Sequence, residues 1–138
     1  VVVFANLKRA STYKISTRIL QMFQPELSIA SLKTIKDTEP GITKLVNGFI
    51  NNVIEKKLRA DQFTTELAVE LMDSTTQARG SEFFKSKGKF LKSELISRKE
   101  MGNGTREYRY RLLFNKEILG LMIQFNKENK IVDLQTSE

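Results

Sequence analysis

The chain has 138 residues, 40% hydrophobic and 28% charged, which suits about one globular domain with a core that needs no staples. It contains no cysteine and no histidine, which excludes disulfides, thiolate sites and Ser-His-Asp or Cys-His catalysis and leaves zinc only carboxylates, so neither metal nor cofactor is expected. The net charge is +7, yet residues 1–36 hold six Lys/Arg against one acid while residues 37–138 hold 17 against 15, so the larger part is nearly neutral and no nucleic-acid partner is expected.

The first element is the run Val1 to Leu7, apolar and rich in β-branched residues, which predicts a buried strand. A chain opening on such a run without methionine reads as a piece of something longer, and "VVVFANLKRA" lacks the basic lead and cleavage site of a signal peptide. A helix follows, with Ile15, Ile19, Met22 and Phe23 at helical spacing, Ser11 as N-cap and Pro25 as its stop. Ser11 and Lys14 have the Ser-x-x-Lys spacing of penicillin-recognising serine enzymes, in which a lysine amine eases deprotonation of the serine hydroxyl. The stretch from Pro25 to Pro40 has no sustained period, which makes residues 28–36 a linker.

From Asp37 the pattern sharpens. Asp37 or Thr38 can cap a helix with Pro40 in its first turn, and Ile42, Leu45, Val46, Phe49, Ile50, Val53 and Ile54 make an amphipathic stripe of about four turns. "TTELAVELM" predicts a short helix capped by Thr64 with Glu66 in its first turn, and "DSTTQARGSEFFKSKG" a third helix ended by Gly88. Asp61 and Asp73 flank a helix where caps belong, and capping is preferred to a catalytic carboxylate pair. The basic run Phe83 to Lys92 reads as a solvated helix end.

After Gly88 the period becomes two. "KFLKSELISRKE" and "TREYRYRLLFN" flank a tight turn at Asn103-Gly104, and "EILGLMIQFN" and "KIVDLQT" follow, predicting a four-stranded antiparallel meander. Asn103-Gly104-Thr105 is also a glycosylation sequon, but the hairpin accounts for the same residues. Tyr108, Tyr110, Leu112 and Phe114 should share a buried face, with Glu107, Arg109 and Arg111 on the wet one. Helices followed by a meander give an α+β fold. No run approaches the roughly 18 apolar residues of a membrane span, so no membrane partner is expected.

Two stretches resemble known families. "VVVFANLKRASTYKISTRILQMFQPEL" is similar to the last strand and helix of beta-lactamase-related serine hydrolases of the class C and penicillin-binding-protein-like kind, which end in a strand of the form "VVVLTN". The order of elements in residues 37–138, with "FTTELAVEL", "REYRYRLLF" and "NKIVDLQ", resembles the NTF2-like (cystatin-like) cone appended to some of these hydrolases. The resemblance implies residues 1–27 as the end of a hydrolase domain, 28–36 as linker and 37–138 as an NTF2-like domain. In that family the nucleophilic Ser-x-x-Lys and the Lys-Thr-Gly-type motif precede the terminal strand. Ser11 to Lys14 follows it, and the nearest later imitation is Lys33-Thr34-Ile35, so Ser11 is a cap and no catalytic residue is expected.

The resemblance also implies a cavity between long helix and curved sheet, lined by Phe49, Val53, Tyr108, Tyr110, Phe114 and Met122, and an apolar small molecule as ligand if those side chains do not simply fill it as core. Buried phenols need partners, which makes Tyr108 and Tyr110 its polar handles. The expected role is a non-catalytic accessory module packed beside the catalytic domain of the same chain, in a periplasmic or extracellular setting. The alternatives are a stand-alone small-ligand binder or isomerase-like enzyme, and a basic nucleic-acid binder. The edge of Val1 to Phe4 would pair with a second copy, giving a homodimer.

Overall fold

A computed structural model of the chain describes residues 28–138. The expected strand Val1 to Leu7 with its dimer-forming edge, the helix Ile15 to Phe23 and the Ser11–Lys14 pair all lie outside the described residues. The chain divides into two units, residues 1–33 and 34–138. Of the first unit the described part is a turn, in which the Ser31 amide donates to the Ser28 carbonyl at 3.0 Å.

The second unit is α+β, with three helices and a four-stranded antiparallel sheet. Helix α1 spans Pro40–Glu55. Proline at its first position costs nothing, because that amide has no partner inside the helix. Its apolar stripe buries Ile42, Val46, Phe49, Ile50 and Val53, while Leu45 at the edge of the stripe stays 44% exposed. Asp37 does not cap α1, and neither does Thr38, because the N-cap position is Glu39. One Asp37 oxygen instead accepts from the Glu39 amide at 2.9 Å and the other from Thr43 Oγ1 at 2.6 Å. The helix ends without glycine. Lys56 takes φ +57°, its amide donates to the Val53 carbonyl, and the Lys57 amide reaches Asn52, a Schellman closure.

A single 3₁₀ turn, Ala60–Gln62, leads to α2 (Thr65–Leu71) and α3 (Ser74–Ser86). Asp61 pairs with Arg59 in that turn rather than capping α2. Thr64 holds the N-cap position of α2 but its side chain makes no cap bond. Its amide donates instead to the Ile131 carbonyl, beside a parallel bridge between Phe63 and Ile131. Asp73 caps α3 as its position suggests, accepting from the Thr76 amide at 2.9 Å. Gly88 follows α3 at φ +93°, where an added Cβ would meet Asn115 Oδ1 at 1.9 Å.

Strands β1 (Phe90–Met101), β2 (Thr105–Phe114), β3 (Ile118–Phe125) and β4 (Ile131–Ser137) pair in chain order. Gly102 to Gly104 join the first two, with Gly104 at φ +82°, so the hairpin has a three-residue loop. Irregularities between Leu95 and Ser97 and between Gln124 and Phe125 break the register, and such bulges bend a sheet. Tyr108, Tyr110, Leu112 and Phe114 are buried with Leu119, Leu121, Ile123 and Phe125 and with the stripe of α1.

Met122 departs from the expected cavity. The pairings Tyr108–Ile123 and Tyr110–Leu121 place the odd positions of β3 on the inner face, so Met122, opposite Arg109, faces outward. The outer face is less wet than alternation alone implies. The Arg109 side chain is 63% exposed, but that of Arg111 is only 15% exposed because it lies against Glu94, which accepts from its Nε at 2.9 Å.

Candidate functional site

Two regions of residues 34–138 concentrate chemistry. The first is a polar knot where the start of α1 meets the inner face of β2. Alternation aims Tyr108 and Tyr110 inward, and their rings stack at 6.3 Å between centroids. The Tyr108 hydroxyl donates to Glu39 Oε2 at 2.9 Å. The Tyr110 hydroxyl lies 2.9 Å from Thr43 Oγ1, and since Thr43 donates to Asp37, the phenol is the donor to Thr43. Arg98 and Arg106, from β1 and β2, both pair with Glu39, Arg106 at 3.2 Å. Both guanidinium groups also lie near the Tyr108 ring, at 5.8 and 6.0 Å from its centroid.

Burial works against the Glu39 carboxylate, but hydrogen bonds from Arg98 and Tyr108 and the two arginine charges outweigh it and hold its pKa below the usual range. Burial pushes the Tyr108 phenol up, and its bond to Glu39 adds to that. Burial likewise pushes Tyr110 up to about 12, with help from the Asp37 charge. Neither phenol is poised to exchange a proton near neutrality, and every polar group of the knot has a partner inside it.

The second region is an apolar recess of about 310 Å³ between α1, α3 and the last two strands. Phe49 and Val53 of α1, Leu71 at the end of α2, Phe83 and Phe84 of α3, and Leu121 and Leu134 of the sheet supply its hydrocarbon walls. Its polar members are Thr76, Gln77, Arg79 and Thr136. Arg79 alone among the lining residues is charged. Helices α1 and α3 approach closely beside it because Gly80 has no side chain (a Cβ there would lie 3.1 Å from Val53 Cγ1) and because the Ser81 hydroxyl donates to the Ile54 carbonyl at 2.7 Å.

Of the six residues the sequence put in one cavity, the structure brings Phe49 and Val53 to this recess. Tyr108, Tyr110 and Phe114 are packed in the core, with Phe114 stacked on Phe84 at 5.8 Å, and Met122 is on the other face. Sequence reasoning missed Arg79, Phe83, Phe84 and Leu134. The signal within reach was the small pair Gly80-Ser81 in the middle of a helix, which marks a close helix crossing and hence the elements that flank a cavity.

The basic run also differs from its reading as a solvated helix end. Lys87 is buried, with its amine 2.8 Å from Glu117, 3.1 Å from Glu138 and 5.2 Å from the centre of the Phe83 ring. The bond it donates to Glu117 raises its pKa despite burial. Lys92 pairs with Glu94 at 2.7 Å, so the run does not present a continuous row of unpaired cations. No group of three or more metal-ligating side chains occurs among the described residues, nor is any helix there long and apolar enough to cross a membrane.

Comparison with protein families, characterised proteins and solved structures gives no match.

Proposed function

We propose that residues 37–138 are an NTF2-like domain that binds and packs rather than catalyses, an accessory module at the C-terminus of a beta-lactamase-related serine hydrolase whose last strand and helix are residues 1–27. The observation that carries the non-catalytic part is the closed polar knot. Tyr108 and Tyr110, the inward groups best suited to proton transfer, are spent on Glu39 and on Thr43 with Asp37, and burial pushes both away from neutral titration. The helices-then-meander order and the bulged sheet support the NTF2-like assignment. The attachment to a hydrolase rests on the resemblance of Val1 to Leu27 alone.

Two measurements test this. A fluorophosphonate or beta-lactam probe should label neither Ser11 nor any other serine of the 138-residue chain, and covalent modification of Ser11 refutes the reading. The reading frame upstream of Val1 should encode an early Ser-x-x-Lys and a late Lys-Thr-Gly-like motif, and a different domain there removes the hydrolase.

A second reading, a small-ligand binder, is favoured by the recess, because the side chains around it are hydrocarbon and no carboxylate or phenol lines it. The two readings are compatible, since an accessory domain can carry a ligand site. Saturable binding of apolar molecules that raises the melting temperature supports this second reading, and its absence with a fully folded protein ends it.

A further inference from the structure

The recess has one charged residue at its border, and that residue has no ionic partner. Arg79 stands on α3 one position before Gly80, exposed to solvent, while its residue lines the recess. It takes part in none of the ion pairs among the described residues. The knot at the start of α1 is the opposite case, since both its arginines have ionic partners: Arg98 and Arg106 share Glu39, and Arg98 also pairs with Glu100. Two of the remaining polar side chains at the recess are already occupied. Thr76 Oγ1 lies 3.3 Å from its cap partner Asp73, and Gln77 Nε2 donates to the Met72 carbonyl at 3.1 Å. An arginine in this position lays its aliphatic stem along the apolar wall and keeps its guanidinium in water at the mouth.

We propose that the recess takes a medium-length aliphatic monocarboxylate, with its tail against Phe83, Phe84 and Leu134 and its carboxylate at the Arg79 guanidinium. This rests on the reading of the recess as a ligand site. Size sets the tail. A dry cavity of about 150 Å³ holds one benzene ring, so about 310 Å³ holds up to roughly a dozen carbon atoms. Polarity sets the head. The walls offer a buried tail no charge, and the guanidinium fork matches a carboxylate in two parallel hydrogen bonds. A dicarboxylate would leave its second charge against hydrocarbon, and an amine would meet Arg79 with like charge.

The test is calorimetric titration of the 138-residue chain with octanoate, 1-octanol and octylamine at low salt. Octanoate should bind about fivefold more tightly than 1-octanol, the upper end of what an exposed ion pair contributes. Arg79→Gln should erase that preference while leaving 1-octanol binding unchanged. Methyl NMR of the unmodified chain should shift Leu134 and Leu71 on binding, which locates the ligand without a variant. Equal binding of octanoate and octanol, or an Arg79→Gln preference as large as that of the unmodified chain, overturns the carboxylate assignment and leaves the recess as a site for neutral molecules. Binding of none of the three overturns the ligand site itself. Octanoate binding that shifts other methyl groups and spares these two overturns the location.

Discussion

Truncation of Phe49 to alanine measures how far the contact between α1 and the sheet holds the domain together. The ring is 3% exposed and meets Phe63 edge-on at 6.0 Å between centroids. Burying such a side chain contributes about 1.5–3 kcal/mol, and an aromatic pair adds about 0.5–1.5 kcal/mol. Removing large buried rings typically costs about 3–5 kcal/mol. One side of this ring borders the recess, where packing partners are already missing, so we expect the lower end, about 3 kcal/mol. That is a large share of the roughly 5–15 kcal/mol that stabilises a domain. Urea titration followed by far-ultraviolet circular dichroism should show a lower midpoint at unchanged slope. Arg109→Ala, with most of its side chain in water, should stay within about 0.5 kcal/mol of the unmodified chain. A loss below about 1 kcal/mol at Phe49, or equal losses at Phe49 and Arg109, would refute this account of the packing.

Three further outcomes are expected. Because burial raises the Tyr110 pKa from its ordinary 10.0 to about 12, stability should hold below pH 10 and fall by on the order of 2–3 kcal/mol as pH rises from 10 through 12, where only the unfolded phenol ionises; Tyr110→Phe should flatten that alkaline limb in chemical denaturation at stepped pH and cost about 1 kcal/mol at neutrality. Glu39 has a lowered pKa, so its contribution is present above the ordinary 4.5 and lost as pH falls below it; Glu39→Gln should cost about 1–2 kcal/mol at pH 7 and converge on the unmodified chain in acid, as read from paired melting curves. Gly88→Ala forces a side chain onto a left-handed residue and against Asn115, which also accepts from the Lys89 amide at 2.8 Å; a loss of about 2–3 kcal/mol is expected, and a neutral result by thermal denaturation would mean that this turn rearranges freely.

The α1 stripe and the four strands were legible because each carries a period that a single face can satisfy: 3.6 from Ile42 to Val53, and two from Tyr108 to Phe114. Met122 was misread because β3 is apolar on both parities, with Ile118 and Met122 alternating against Leu119, Leu121, Ile123 and Phe125, so composition did not reveal which set faces inward. That choice is made by the pairing across the Asn115–Glu117 loop, a property of the turn. Asp37 did not become the cap of α1, whereas Thr64 took the N-cap position of α2 without a side-chain bond. A side chain suited to capping bonds whatever donor lies near, and here the Glu39 amide and the Thr43 hydroxyl take the two Asp37 oxygens. The recess was half legible. Phe49 and Val53 belong to the strongest periodic element, whereas Arg79 and Phe83 lie on α3, whose polar majority hides its inner face.

The chain order of the strands also governs how the protein comes into being. Each strand pairs with its immediate neighbour along the sequence, so the sheet can zip up from one hairpin to the next with short loop closures. The bond between Thr43 and Tyr110 spans 67 positions, and it joins α1 to a strand made much later. At the roughly 5–20 residues per second of translation, about 3–13 seconds separate the two ends of that bond. Throughout that interval Val46, Phe49 and Ile50 have no sheet to cover them. A nascent α1 is therefore the segment that a ribosome-associated chaperone would hold, and its release should coincide with the emergence of β2.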